Sequence, residues 1–219
     1  MAEPWRPPGS LPADVFTPPG TSRLNIVTGP PGCGKTTWCR ALLAQAHLSG
    51  VDLRGVLCPA IFADGEKTAI DVVFLGGDAH GRHARLAEQT RSLTQIDRSQ
   101  NRERSSLKLA WDFDAGVMRA INEHFASIEK PANLLIDEIG PLELIGGGGW
   151  QSAVSVLDAV LYRNAFVVVR PSLLHTAVER WCVAEVIDVG ALGNARDTGT
   201  MRVMPETVVC RTKRTCISK

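Results

Sequence analysis

The stretch Gly29-Pro30-Pro31-Gly32-Cys33-Gly34-Lys35-Thr36-Thr37 constrains this chain more than any other. It fits the phosphate-loop spacing: a glycine, four free positions, then Gly-Lys-Thr. An apolar run at 24–28 leads in, and a helix-forming segment at 37–48 leads out. That setting matters because the loop works by geometry. Its glycines let successive backbone N–H groups turn inward, and the start of the following helix adds partial positive charge. Lys35 can then reach β- and γ-phosphates, while the Thr36 hydroxyl is offered to Mg²⁺. The segment is expected to bind a nucleotide.

A second motif lies far downstream, where the apolar strand Leu134-Leu135-Ile136 ends in Asp137-Glu138. Alone, such a pair caps many strands as solvated carboxylates. With a phosphate loop upstream, Asp137 stands where a phosphate-loop enzyme keeps the acid of its Mg²⁺ shell. Glu138, where the chain leaves the sheet, is the candidate to polarise a water for attack on the γ-phosphorus. Arg170 ends the next apolar strand, 165–169, and could address the γ-phosphate from the C-terminal edge of the sheet, or pair with a nearby acid.

The rest of the chain reads as α/β. Wholly apolar strands alternating with amphipathic helices imply a mostly parallel sheet with helices on both faces. The helix after the phosphate loop places Trp38, Leu42 and Ala46 on one face, with Gly50 to end it. The runs 56–62 and 68–75 flank Asp64-Gly65 and read as a small hairpin, with Pro59 at an edge or an interruption. The polar segment 76–106 reads as loops with one short helix near 85–88. Phe113, Val117, Ile121 and Phe125 predict a helix, and Trp150, Val154, Leu157 and Leu161 another after the glycine run 146–149. A helix at 172–181 and a last strand at 185–189 complete the pattern. The expected organisation is a Pro-rich leader (1–22), a phosphate-loop domain (23–202) and a basic tail (203–219).

Bulk properties narrow the functions. A net charge of +1 gives no electrostatic reason to expect nucleic acid or an acidic membrane as partner. No apolar run approaches the roughly 20 residues that span a bilayer, and Trp5 to Gly9 has no signal-peptide core behind it. The six cysteines form no Cys-x-x-Cys pair, so free thiols in a reducing compartment, the cytosol, are expected. His80 and His83 lack an accompanying zinc-type cluster, and His175 reads as a surface or packing residue. Trp38, Trp111, Trp150 and Trp181 read as core.

Residues 29–37, together with Ile136-Asp137-Glu138-Ile139-Gly140-Pro141-Leu142-Glu143-Leu144, carry a resemblance. The chain resembles the nucleoside-triphosphatase family that includes the cancer-related NTPase and its thermophile relatives, over about 24–189. Glu143 makes the second motif specific, because phosphate-loop chemistry in general does not demand it; it either braces the loop after the acid strand or is exposed. The resemblance implies a RecA-like phosphate-loop fold and Mg²⁺-dependent hydrolysis of ATP, GTP and other NTPs at the β–γ bond. Little discrimination between bases is implied as well. Two other readings stay open: a nucleoside or nucleotide kinase with a lid at 98–104, or a weakly active nucleotide switch. Arg82, Arg85, Arg91, Arg98, Arg102 and Arg104 are candidates for an arginine finger, or solvated loop charges.

Overall fold

The computed structural model describes residues 15–16, 21–89 and 111–194. The first part of the chain runs β1 (Arg23–Thr28), α1 (Lys35–Leu48), β2 (Leu53–Leu57), β3 (Ala60–Ala63), β4 (Glu66–Leu75) and β5 (His83–Gln89). Next come β6 (Trp111–Phe113), α2 (Ala115–Ala126), β7 (Ala132–Ile139), α3 (Pro141–Leu144) and α4 (Gln151–Asp158). The chain continues with β8 (Tyr162–Val169), a 3-10 turn (Pro171–Leu173), α5 (Leu174–Arg180), β9 (Val183–Asp188) and α6 (Val189–Asn194).

The strands form one sheet in the order β6-β5-β4-β2-β7-β8-β1-β9, with β3 also paired to β4. From β2 to β9 every pairing is parallel. These strands are apolar at successive positions because both faces are covered. Leu134, Ile136 and Val167 join one core, with Ile121 and Phe125 of α2, Val154 and Leu157 of α4 and Ala177 of α5. Their chain neighbours Leu135, Phe166 and Val168 join the other, with Trp38, Leu42 and Ala46 of α1 and Val189 of α6. The expected parallel sheet with helices on both faces is thus present.

The other half of the sheet is larger than the expected hairpin. Strands β3 to β6 are all antiparallel and extend the sheet beyond β2. Pro59 does interrupt the run 56–62, separating β2 from β3, and Asp64-Gly65 turns β3 into β4. The short helix expected near 85–88 is instead part of β5. Its helix formers are overridden by pairing to β4, in the register Arg85 to Asp71 and Ala87 to Ile70. Phe113 belongs to β6, not to the helix after it, because the Asp114 carboxylate caps α2 by accepting the Val117 N–H at 2.8 Å. Leu161 likewise falls beyond α4, and the segment 172–181 opens as a 3-10 turn before α5.

β2 is the seam between the two halves, pairing with β7 on one side and β4 on the other. The strands approach so closely there that a Cβ at Gly55, whose φ is +128°, would stand 2.1 Å from the Leu135 carbonyl oxygen. Of the leader, Val15 and Phe16 rest on the second core, Phe16 edge-on to Phe166 at 6.0 Å. The basic tail and the segment 98–104 lie outside the described residues. Among the described residues no helix is long and apolar enough to cross a membrane.

Candidate active site

β1 delivers the chain to the phosphate loop at the C-terminal edge of the parallel sheet, and α1 begins at Lys35, the first residue after the loop. Gly34 takes φ +99°, a left-handed turn that a side chain would strain, and its carbonyl accepts the Trp38 N–H at 2.8 Å to open the helix. Lys35 arches back over the loop, its Nζ donating to the carbonyls of Gly29 at 2.8 Å and Pro30 at 3.0 Å. Within the loop the Cys33 N–H reaches the Pro30 carbonyl at 3.3 Å, leaving Pro31 and Gly32 at its turn. Pro30 also abuts α6, where a Cβ on Gly190 would come within 2.9 Å of it. Thr36 and Thr37 fill the first turn of α1.

β8 lies between β1 and β7, so the loop and the acid pair end on the same edge, one strand apart. The Thr36 side chain faces the Asp137 carboxyl across that gap, near enough to favour its charged form. Asp137 is only 4% exposed, and its Oδ2 accepts the Cys58 N–H at 3.3 Å. Burial pushes its pKa up to about 6; the Cys58 N–H, Thr36 and the charge of Lys35 oppose the rise without cancelling it. Glu138 is half-buried and accepts from Arg170 Nε at 2.5 Å. Arg170, at the end of β8, therefore stands between the loop and the acids, beside Glu138.

The loop that follows is braced by Glu143. This buried carboxylate accepts the Gly140 N–H at 2.8 Å through Oε2 and the Trp150 N–H at 3.1 Å through Oε1. Gln151 adds a bond to the Gly148 carbonyl at 2.5 Å, so the glycine run is pinned at both ends. Glu143 thus fixes how the chain leaves Glu138.

These neighbours settle what the site can do. Burial first, and then the charge of Asp137, pushes the Cys39 and Cys58 thiols well above the ordinary range, so neither is a thiolate nucleophile. A groove of about 540 Å³ lined by Asp52, Arg54, Lys130 and Arg163 opens at the opposite edge, by the starts of β2, β7 and β8. Ligands of open α/β sheets bind beyond the carboxyl ends of the strands, and the loop and acids are there instead.

A family model described as NTPase matches residues 25–179. The chain belongs to that family. It is 26% identical over 153 residues to the nucleoside-triphosphatase THEP1 of Methanopyrus kandleri, covering 70% of this chain and 76% of the relative. THEP1 of Sulfurisphaera tokodaii is 25% identical over 148 residues, 67% and 76% of the two chains. The solution structure of a human cancer-related nucleoside triphosphatase superposes with TM-score 0.52 at 17% identity, over 82% of this chain and all of that one. THEP1 of Aquifex aeolicus gives 0.50 at 17% identity, over 80% and 93%. These two likenesses show the phosphate-loop fold.

Within this NTPase the donor set suits Mg²⁺. A hydroxyl and one buried carboxylate are hard oxygen donors that face each other, and Mg²⁺ takes one or two carboxylates while relying on phosphates and water for the rest. The arginine candidates fare differently. Arg85 is engaged with Asp71 and Glu88, and Arg82 lies over the Phe74 ring at 4.6 Å. Arg91, Arg98, Arg102 and Arg104 lie outside the described residues. Trp38, Trp150 and Trp181 are core, but Trp111 is only half-buried and carries the Lys67 ammonium 5.0 Å from its ring centre.

Proposed function

We propose that this NTP hydrolase cleaves the β–γ bond of Mg²⁺-bound ATP, GTP and other NTPs to diphosphate and phosphate. The observation that carries the reading is that the phosphate loop and the acid pair end at one sheet edge, a single strand apart, with Thr36 facing Asp137. The loop amides of Gly32 to Thr37 and the Lys35 ammonium cradle the β- and γ-phosphates, with Gly29, Pro30 and Pro31 shaping the turn. Thr36 and Asp137 would hold Mg²⁺, which when bound neutralises charge on the phosphate oxygens. Glu138 orients a water and takes its proton as the water oxygen bonds to phosphorus and the bond to the bridging oxygen breaks. Arg170 reaches both Glu138 and, from the same strand end, the γ-phosphate. Every group named addresses phosphate, metal or water, and none reaches for a base, which supports broad base tolerance.

The free thiols of Cys33, Cys39 and Cys58 support a reducing compartment, the cytosol, as the setting for this activity. Nucleic acid is not needed as a partner for this chemistry.

Phosphate release from ATP, GTP, CTP and UTP, with and without Mg²⁺, tests the reading. Release from all four that depends on Mg²⁺ is expected, with Lys35→Ala slowing it by on the order of 10³-fold. Undiminished release from Lys35→Ala would refute the site. Release that requires an added nucleoside would convert the reading to a kinase.

A further inference from the structure

The antiparallel half of the sheet meets the site at one junction. β4 pairs with β2 up to Leu57, opposite Val73, and residues 66–72 run on past the end of β2 as an overhang. β3 takes over beside it with Ala60 opposite Ile70, three residues on in one strand and three back in the other. The register therefore holds across the junction, and Cys58 and Pro59 stand opposite Val72 and Asp71. The Asp71 N–H donates to the Pro59 carbonyl at 3.0 Å, so the ladder to β4 continues through Pro59.

That bond decides where Cys58 points. Along a strand, the N–H and C=O groups of successive residues face opposite edges. With Pro59 turned to β4, Cys58 is turned the other way, to β7. The last β2–β7 pair is Val56 with Ile136, so the Cys58 N–H lies beyond that ladder. There it meets a side chain in place of a backbone carbonyl, donating to Asp137 Oδ2 at 3.3 Å. Pro59 restrains this arrangement, because its ring disfavours a helical conformation in the residue before it and so keeps Cys58 extended.

We propose that the Cys58-Pro59 junction positions the metal acid: the register of β4, locked by Pro59, aims the Cys58 N–H at Asp137 and fixes the carboxylate opposite Thr36. Cys58 acts through its backbone and not its thiol. Hydrogen bonds to a ligating carboxylate orient it and raise its affinity for the metal. With one oxygen held, the Asp137 carboxylate stands ready for Mg²⁺ before the nucleotide arrives. The proposal rests on the hydrolytic reading above.

The test uses four variants of the full chain: Cys58→Pro, which removes the donor; Pro59→Gly, which frees it to turn away; Cys58→Ala, which keeps it; and Asp137→Asn. Equilibrium binding of a non-hydrolysable NTP is measured across a Mg²⁺ titration, and phosphate release across the same range. Cys58→Pro breaks no ladder bond, since that N–H faces Asp137. It should raise the Mg²⁺ concentration for half-maximal binding by about tenfold or more, with the metal-free affinity within about twofold of wild type. Saturating Mg²⁺ should restore most of kcat, a split that a general loss of structure would not give. Pro59→Gly should move the same way by about threefold, and Cys58→Ala by less than about twofold. Pro59→Gly carries the test if Cys58→Pro does not fold. An unchanged Mg²⁺ requirement in either, or an equal rise in Cys58→Ala, would overturn the proposal. Asp137→Asn separates the two readings. If it loses the Mg²⁺ dependence while Cys58→Pro keeps that of wild type, only the positioning role fails; if Asp137→Asn itself responds to Mg²⁺ as wild type does, the metal site is wrong.

Discussion

The parallel and antiparallel halves of this sheet contribute to one site in different ways. The parallel half supplies Lys35, Thr36, Asp137, Glu138 and Arg170 from strand ends and a helix start whose faces are covered on both sides. The antiparallel half supplies a backbone N–H at Cys58 and an overhang whose tip is open to water; Phe62 there is 64% exposed. The first set depends on residue type at fixed spacing, because a loop must cradle phosphate and an acid must meet a metal. The second depends on how far a strand runs past its neighbour. Chemistry that needs rigid placement sits over the doubly covered core, and the wall opposite is built on the less buried extension.

The sharpest way to break that comparison is at the seam. Gly55→Ala would drive a Cβ into the Leu135 carbonyl at a backbone angle that disfavours side chains, and should cost about 3–5 kcal/mol in urea unfolding. A loss below about 1 kcal/mol would mean that β2 does not join the halves as tightly as the register indicates. Next in size is Glu138→Gln, which keeps the shape and the bond from Arg170 but removes the proton acceptor. It should lower kcat by about 10²–10³-fold while nucleotide affinity stays within about threefold. A parallel loss of affinity would shift Glu138 from water activation to binding.

The smallest expected effect concerns Asp137 in the absence of added metal and nucleotide. Its folded pKa is raised from 3.8 to about 6, chiefly by burial. The unfolded carboxyl therefore ionises first, and the stability contributed by the neutral buried acid is full below about pH 4 and is lost as pH rises through about 6. Asp137→Asn should then unfold at a higher urea concentration than wild type at pH 8, by about 1–3 kcal/mol, with the difference closing by pH 4. A variant less stable than wild type at pH 8 would show that the carboxylate is held charged at no cost.

The legible and illegible parts of the sequence follow the same division. The phosphate loop, the acid strand and both layers of helices could be read because apolar periodicity and spacing encode them directly. Leu134 and Ile136 alternate with Leu135 between two cores, as a doubly covered strand must. β5 could not be read, because Arg85, Leu86 and Ala87 favour a helix locally and become a strand only through pairing with β4. Phe113 fell at helical spacing by coincidence, and the Asp114 cap that excludes it became evident only in the structure. Glu143 stood undecided between brace and exposed acid until its two backbone partners, Gly140 and Trp150, came together.

The account depends above all on Thr36 and Asp137 serving one ion on one triphosphate. A double-mutant cycle in Mg²⁺-dependent binding of a non-hydrolysable NTP, using Thr36→Ala, Asp137→Asn and the pair together, measures this directly. Strong coupling is predicted: the double variant should lose little more affinity than the worse single one, an interaction of about 1–3 kcal/mol. Losses that simply add would mean that the hydroxyl and the carboxylate act on separate targets, and would contradict the site described.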